Sequence, residues 1–186
     1  MPGVPRTYPD IFPQIEYQTY WSNDVNPSVT TLGLYIDFQR GSVGTLGNSY
    51  GFGTQCVRAP QPMIAPGSRF RSSMRNNEFV TIDNLTGLMW QNSQQSNLNW
   101  QEAMAFCESS NYAGFDDWRL PKTRSLMSLI DYTLENPATP LRMLTEDRMW
   151  SSTSLYLPNS AICIDFRNGG LLNREKRFSG DVVCVR

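Results

Sequence analysis

Alternating hydrophobic and polar residues just before the middle of the chain predict a β-hairpin. Residues 79–83 alternate and include β-branched side chains, which is typical of a strand buried on one face. Residues 84–87, Asn-Leu-Thr-Gly, have turn chemistry, and residues 88–90 form a short apolar run. We therefore expect two short strands joined by a turn at 84–87.

A helical period follows the hairpin. Asn99 and Glu102 have the spacing of a capping box, with Asn in the place of the usual Ser or Thr. The apolar residues behind this cap recur at helical spacing and define one face: Trp100, Ala103, Met104 and Cys107. Residues 111–114 have the composition of a helix end. The pattern predicts a helix near 100–110 with Cys107 on its inward face.

A second helix is predicted over 123–134. Thr123 is its expected cap, and the Glu-Asn-Pro sequence at 135–137 stops it. Its apolar face would consist of Leu126, Leu129, Ile130 and either Thr133 or Leu134.

Strand patterns return after the second helix, at 149–150, 161–166 and 181–185, with a hairpin turn at 168–170. The order of one strand, two helices and several strands predicts an α+β fold.

The C-terminal strand pattern occurs twice in the chain. Ile-Asp-Phe stands at 36–38 and again at 164–166, and Cys-Val-Arg stands at 56–58 and again at 184–186. Both pairs are 128 positions apart, so they share one register. The pattern predicts an internal repeat whose first copy is incomplete, because the lead-in from Phe79 to Arg148 has no counterpart before residue 20.

The repeat predicts a division into three parts. Residues 1–58 would be the C-terminal half of a first copy, 59–78 a Pro-rich linker and 79–186 a complete domain. Residues 20–58 would form strands arranged like 149–186. A half-domain rarely buries enough surface to fold alone. We therefore expect its apolar face to be covered by the linker, the other copy or a second chain.

Composition narrows the function classes. The chain has 186 residues, a net charge of −1 and no histidine. A nucleic-acid partner is not expected, because such proteins usually carry a strong basic excess. The lack of histidine excludes Ser-His and Cys-His catalysis and imidazole metal sites. No apolar run approaches the about 20 residues of a membrane helix, and residues 1–4 lack a signal-peptide core.

The four cysteines leave two interpretations open. Cys56, Cys107, Cys163 and Cys184 are too far apart for a Cys-x-x-Cys redox or zinc motif. Their wide spacing in a Lys-poor, aromatic-rich chain fits an exported protein with one disulfide. Buried free thiols are the alternative.

Several spaced motifs resemble one known family. They are Asp-Asn-Leu-Thr-Gly-Leu-Met-Trp-Gln at 83–91, Trp-Gln-Glu-Ala at 100–103, Cys107, Asp-Trp-Arg-Leu-Pro at 117–121, Trp-Ser-Ser at 150–152 and the Cys-Val-Arg ending. The chain is similar to the family of the C-terminal domain of the Legionella collagen-like adhesin. The likeness covers 79–186 completely and 20–58 as a half-copy.

The resemblance implies a C-type-lectin-like fold. In such folds the first helix packs on the last strand, so it implies a Cys107–Cys184 disulfide, with Cys56 unpaired and Cys163 a buried hydrophobic residue. It also implies that the strand near Val80 lies beside the strand at 182–185.

The resemblance also implies an extracytoplasmic binding module of a bacterial surface or secreted protein. The name-giving member is an adhesin for sulfated glycans. A structural or assembly domain of a surface appendage is the alternative. An oxidase related to formylglycine-generating enzymes is a distant third. Such chemistry uses two reactive cysteines close together, and here Cys184 is expected to be joined to Cys107 instead. We therefore expect no enzyme activity and no cofactor.

Most conspicuous side chains have an architectural interpretation. Trp90, Trp100, Trp118 and Trp150 could stack on a sugar, but large apolar aromatics usually lie in the core. Arg119 is expected to be a buried, paired arginine. Trp-Ser-Asn-Asp at 21–24 and Glu-Asn-Pro at 135–137 faintly resemble lectin calcium motifs. They lie in different copies, and calcium needs six to eight converging oxygens, so no metal is expected.

The predicted ligand site is a polar, mostly basic stretch between two strands. Lectin-like folds present this region to their ligand, and arginine suits sulfate or carboxylate groups. The candidate residues are Arg167, Asn168, Asn173, Arg174, Lys176 and Arg177. The expected partner is an anionic or sulfated glycan or another cell-surface ligand, bound without calcium. An ordinary solvated hairpin is the alternative.

Overall fold

The computed structural model describes residues 19–25, 29, 31–38, 42–54, 56, 67, 69–134, 136–144, 148–154 and 158–186. These residues divide into two units. The first is built on the strands between residues 19 and 56. The second holds the remaining strands and both helices.

The first unit contains a three-stranded antiparallel sheet. Its strands, in spatial order, are β1 (Thr19–Val25), β2 (Leu32–Asp37) and β3 (Ser42–Gly47). Leu34, 4% exposed, is buried at its centre, and the Trp21, Tyr35 and Phe52 rings pack together beside it. Gly53 adds a parallel bridge to Tyr20 at the edge of β1. The expected cover of its apolar face, by the linker, the other copy or a second chain, falls largely on residues outside the described part and stays a prediction.

The second unit contains two sheets. The first is the antiparallel order β4 (Phe70–Arg75), β5 (Glu78–Asp83) and β6 (Met89–Gln91). The second has five strands in the spatial order β10 (Gly170–Glu175), β9 (Ser160–Asp165), β8 (Arg148–Ser154), β11 (Gly180–Val182) and β7 (Gln95–Leu98). Within the second sheet β8 and β11 are parallel and the other neighbours antiparallel. Strands and two helices make a mixed α+β fold, as the sequence predicts.

The sequence repeat is also a repeat of strand register. Trp21 pairs with Tyr35, and Trp150 pairs with Cys163 at the equivalent place. Both strand pairs then have an irregularity, after which Val25 pairs with Gly33 as Ser154 pairs with Ala161. Even the parallel bridge is repeated, as Tyr20 with Gly53 and Met149 with Asp181. The two β-meanders therefore have the same pairing throughout.

The first helix matches its sequence pattern. Helix α1 spans Trp100–Glu108, and Asn99 caps it through its side chain, which accepts from the backbone N–H groups of Gln101 and Glu102. The Glu102 carboxylate accepts from the Asn99 N–H at 2.8 Å, which completes the capping box. Ala103 and Cys107 are the buried positions of its inward face.

The second helix is shorter than predicted. Helix α2 spans only Thr123–Met127, and Lys122, its N-cap residue, makes no side-chain capping hydrogen bond. Thr123 is thus inside the helix, and its N–H donates instead to the Thr153 Oγ1 of β8 at 3.1 Å. After Met127 the chain turns, and the Asp131 N–H donates to Ala138 O at 3.0 Å. Tertiary hydrogen bonds thus replace the predicted last two helical turns.

Two expectations about the start of the domain are wrong. Residues 70–75, assigned to the linker, form β4 and pair with β5 through a hairpin at Asn76 and Asn77, both of which have positive φ. The C-terminal residues lie beside β6 instead of β5, with Met89 and Arg186 exchanging backbone hydrogen bonds. Because β4 and β6 occupy both edges of β5, no edge is left there for the C-terminus.

The predicted disulfide is confirmed. Cys107 on α1 and Cys184 in the last strand segment are joined, with their Cα atoms 5.5 Å apart. Cys56 is free and exposed, whereas Cys163 is free and buried, as expected. Both cysteines lie within one hydrophobic core that also includes Val80, Trp118 and Trp150.

Candidate functional site

The predicted ligand residues do not all serve the same purpose. Arg167 and Asn168 lie in the turn between β9 and β10. Asn173 and Arg174 lie on β10, and Lys176 and Arg177 lie in the turn that follows it. Of the six, Arg167 and Arg174 line one pocket together.

That pocket is formed by residues of β7, β8, β10 and β11 and of the β9–β10 turn, and it has a volume of about 400 Å³. Three arginines, one carboxylate and small polar groups line it: Asn97, Arg148, Arg167, Arg174, Ser179, Gly180 and Asp181. We call these seven residues the arginine pocket. Its lining carries three positive charges and one negative charge, so it favours an anionic ligand.

The Asp165 carboxylate orients two of these arginines, Arg167 and Arg148. Its side chain is 6% exposed, and it accepts from both the Nε and the Nη2 of Arg167. The Arg148 Nε lies 3.9 Å from the same carboxylate. The hydrogen bonds from Arg167 hold the pKa of Asp165 below its usual value, despite the opposing effect of burial. Asp165 therefore stays ionised and holds Arg167 in place.

Arg174 is fixed by different contacts. Its Nη2 donates to Ser179 O at 2.6 Å, and its guanidinium lies 5.6 Å from the centre of the Phe178 ring. Its Nε is buried without a hydrogen-bond partner. A buried guanidinium N–H without an acceptor is costly, and an anion in the pocket would supply acceptors to this side chain.

The floor of the arginine pocket requires a glycine. A Cβ on Gly180 would lie 2.7 Å from Trp150 Nε1, because the buried indole packs directly against this position. That indole donates to Leu98 O at 3.0 Å and thereby connects β8 to β7. Asp181, next in the chain, accepts from Gln94 Nε2 at 3.2 Å. The pocket wall is thus held from several strands.

The other four predicted residues have contacts elsewhere. The Asn168 side chain accepts from Gly170 N–H inside the turn, and Asn173 is exposed on β10. Lys176 donates to Ser154 and to Pro158 O, with its ammonium 4.2 Å from the Trp100 ring centre. Arg177 pairs with Glu175. The contacts of Lys176 and Arg177 fix the β10–β11 turn, whereas that of Asn168 lies within the β9–β10 turn.

Sequence reasoning missed Asn97, Arg148, Ser179, Gly180 and Asp181. Arg148 precedes the repeated Trp-Ser motif, and its position is aligned with Thr19 of the first sheet. The repeat register shows where β8 starts, and it is therefore the only sequence signal that could have pointed to Arg148. That β8 and β11 pair in parallel is decided by the tertiary structure.

The predicted burial of Arg119 is wrong, whereas the structure supports a role in packing for the tryptophans. Arg119 is exposed, because its neighbours Trp118 and Leu120 point into the core while its backbone exchanges hydrogen bonds with Val185. Trp90, Trp118 and Trp150 are at most 2% exposed. Trp100 is half-buried and donates to Ser151 O at 2.8 Å.

Among the described residues we find no activated thiol and no cluster of metal ligands. Burial raises the pKa of the Cys163 thiol to about 12, although Arg174 and Arg148 oppose the shift. No three acidic or cysteine side chains of the described part group as metal ligands. None of its helices is long and apolar enough to cross a membrane.

Comparison with known proteins identifies the family. The profile of the Lcl C-terminal domain matches residues 79–186, which is more than half of the chain. No curated protein matches the chain. The matched part contains the disulfide, both helices and the arginine pocket. The chain therefore belongs to the Lcl C-terminal domain family, as its motifs indicated.

Proposed function

We propose that this chain is an extracellular binding module that takes the anionic groups of a sulfated or carboxylated glycan into the arginine pocket. The carrying observation is that Arg148, Arg167 and Arg174 come from separate elements and converge on one open pocket. Planar guanidinium groups match the oxygen atoms of sulfate and carboxylate.

The fold and location belong to the same proposal. The parallel β8–β11 pairing, the two helices and the pairing of the C-terminal residues with β6 support a C-type-lectin-like fold for 79–186. The shared register supports the view that 1–58 includes a half-copy of it. The Cys107–Cys184 disulfide supports an oxidising, extracytoplasmic location, because such bonds are rare in the cytosol.

Binding is favoured over catalysis by the state of the cysteines. An oxidase of the formylglycine-generating kind needs a pair of reactive thiols. Here Cys184 is joined to Cys107 and Cys163 is buried with a raised pKa, the opposite of an activated thiolate. We propose that the chain is not an enzyme and uses neither metal nor cofactor.

The test is binding of the whole chain to heparin and to unsulfated heparosan, which keeps the carboxylates but lacks the sulfates and so separates the two kinds of anionic group. Arg148→Ala and Arg174→Ala should each weaken heparin binding about tenfold, the effect of losing one charge-assisted contact. Affinity should fall as salt rises and should not change when EDTA is added.

Arg71→Ala is the matched control. Arg71 is an exposed arginine on β4, away from the pocket lining, so its loss changes the net charge equally. Equal losses for Arg71→Ala and Arg174→Ala would mean non-specific attraction. No binding to any anionic glycan would favour the alternative, a structural or assembly domain.

A further inference from the structure

The repeat of strand register places a second pocket in the first sheet. Shifted by the repeat, Arg148 falls on Thr19, and Ser179, Gly180 and Asp181 fall on residues 51–53. A pocket of about 480 Å³ lies there, and the described residues that line it are Thr19, Gly51, Phe52 and Gly53. The same position of the β-meander thus forms a pocket in both units.

The chemistry of the second pocket differs from that of the first. A threonine stands in the place of Arg148, and Leu46 stands in the place of Arg174. Phe52 stands in the place of Gly180 and adds an aromatic ring to the lining. The described lining residues carry no charge, so they offer an aromatic surface, a hydroxyl and backbone polar groups.

The lining is held in place. The Phe52 ring centre lies 4.8 Å from that of Trp21 and 5.3 Å from that of Tyr35. Gly53 N–H donates to Thr19 O, and Trp21 N–H donates to Gly53 O, both at 3.0 Å. A ligand would therefore meet a preformed surface, which lowers the entropic cost of binding.

Gly51 marks the open side of the pocket. A Cβ built there meets no atom within 4 Å, whereas one built on Gly53 would lie 2.8 Å from the Tyr20 ring. A larger side chain at position 51 would therefore occupy the open space without displacing its neighbours. The position offers a way to block the pocket while leaving the sheet intact.

We infer that this second pocket binds a neutral sugar ring. An aromatic ring covers the apolar C–H face of a pyranose, and a hydroxyl with backbone groups pairs with its hydroxyls. An anion would find no arginine among the described lining residues. The inference does not depend on the arginine pocket and extends the binding function to uncharged carbohydrate.

The test presents immobilised uncharged oligomers of glucose, galactose, mannose and N-acetylglucosamine to the whole chain. At least one should bind with an affinity that salt leaves unchanged. Gly51→Val and Phe52→Ala should each weaken that binding about tenfold. Two variants are used because Phe52→Ala removes a packed ring and can disturb the sheet, whereas Gly51→Val retains the aromatic packing.

Two control variants make the outcome specific. Tyr50→Ala removes a neighbouring aromatic that is 58% exposed and outside the described lining, so neutral binding should persist. Arg174→Ala should reduce heparin binding only. The inference is overturned if no neutral oligomer binds, or if binding survives both Gly51→Val and Phe52→Ala. Loss of heparin binding alone would concern the arginine pocket and leave this inference standing.

Discussion

At the scale of single residues, Asp83 explains the Asp-Asn-Leu-Thr-Gly motif. Its carboxylate is fully buried and accepts from Arg69 Nε at 3.0 Å and Nη2 at 2.9 Å. It also accepts from the Leu85 N–H and the Thr86 hydroxyl. Gly87 closes the turn with a φ of 74° and donates to Asp83 O. The motif therefore supplies a buried carboxylate that pairs with Arg69 and fixes the turn between β5 and β6.

Asp83→Asn should destabilise the chain by about 3 kcal/mol, because it leaves Arg69 partly buried without its carboxylate. Burial raises the pKa of Asp83, but the hydrogen bonds of Arg69, Thr86 and Leu85 outweigh it and the pKa lies below the usual value. Its stabilising effect is thus complete above the ordinary carboxyl pKa of about 4 and is lost as pH falls further.

Urea unfolding at pH 7 and at pH 3 measures both effects. The wild-type chain should lose more stability between the two pH values than Asp83→Asn does. Asp116→Asn, which changes an exposed carboxylate, serves as control and should behave like the wild type. Equal pH dependence of the wild type and Asp83→Asn would contradict this account.

At the scale of elements, α1 depends on its cap and its disulfide. It has only nine residues, a length at which isolated helices are marginal in water. The capping box satisfies its first N–H groups, and Cys107 ties its inward face to the last strand segment. Local and tertiary contacts thus support the same helix.

Asn99→Ala should lower the free energy of unfolding by about 1 kcal/mol, because the N–H groups of Gln101 and Glu102 lose their acceptor. Denaturant unfolding measures the change. Gln101→Ala, an exposed change within the helix, is the control and should be close to neutral. A neutral Asn99→Ala would mean that packing alone sets the start of α1.

Replacing Cys107 and Cys184 together by alanine should cost about 4 kcal/mol, since the bond closes a loop with a sequence separation of 77. The midpoint of urea unfolding, without reductant, measures this loss. Cys56→Ala removes an exposed free thiol and should leave the midpoint unchanged. A double variant as stable as the wild type would show that the bond is dispensable to the fold.

At the scale of the whole molecule, two sheets of equal register have unequal cores. Among the described residues of the first unit, Leu34 is the only apolar side chain that is fully buried. The second unit buries two clusters, one around Trp150 and Cys107 and one around Trp90 and Phe166. Since buried apolar area dominates stability, the two units should differ in local stability.

Amide exchange provides the comparison. The amides of Leu32–Asp37 should exchange at least tenfold faster than those of Ser160–Asp165, although both are central strands with the same pairing. Hydrogen–deuterium exchange followed by mass spectrometry measures the two peptides in one sample. Equal protection of the two strands would mean that the first sheet is stabilised as strongly as the second.

The sequence by itself determined what depends on near neighbours. The capping box at Asn99 and the strand at Glu78–Asp83 are patterns within short stretches, and a short pattern suffices to specify each. The repeat spans 128 positions, but it is readable from the sequence because the same short motifs occur twice. The disulfide was predicted through the family resemblance. The length of α2 is mispredicted because the chain leaves the helix after Met127, where the Asp131 N–H donates to Ala138 O, a contact that the local pattern does not encode.

Only the tertiary structure decided the arginine pocket. Arg148, Arg174 and Asp181 lie on three different strands. The parallel pairing of β8 with β11 places Asp181 opposite Met149, next to Arg148, and Arg174 reaches the same pocket from β10 through its contact with Ser179 O. No local period encodes a contact between residues that are tens of positions apart. The same reason explains Arg119, whose exposure follows from its pairing with Val185 and the alternation of side chains along that pair.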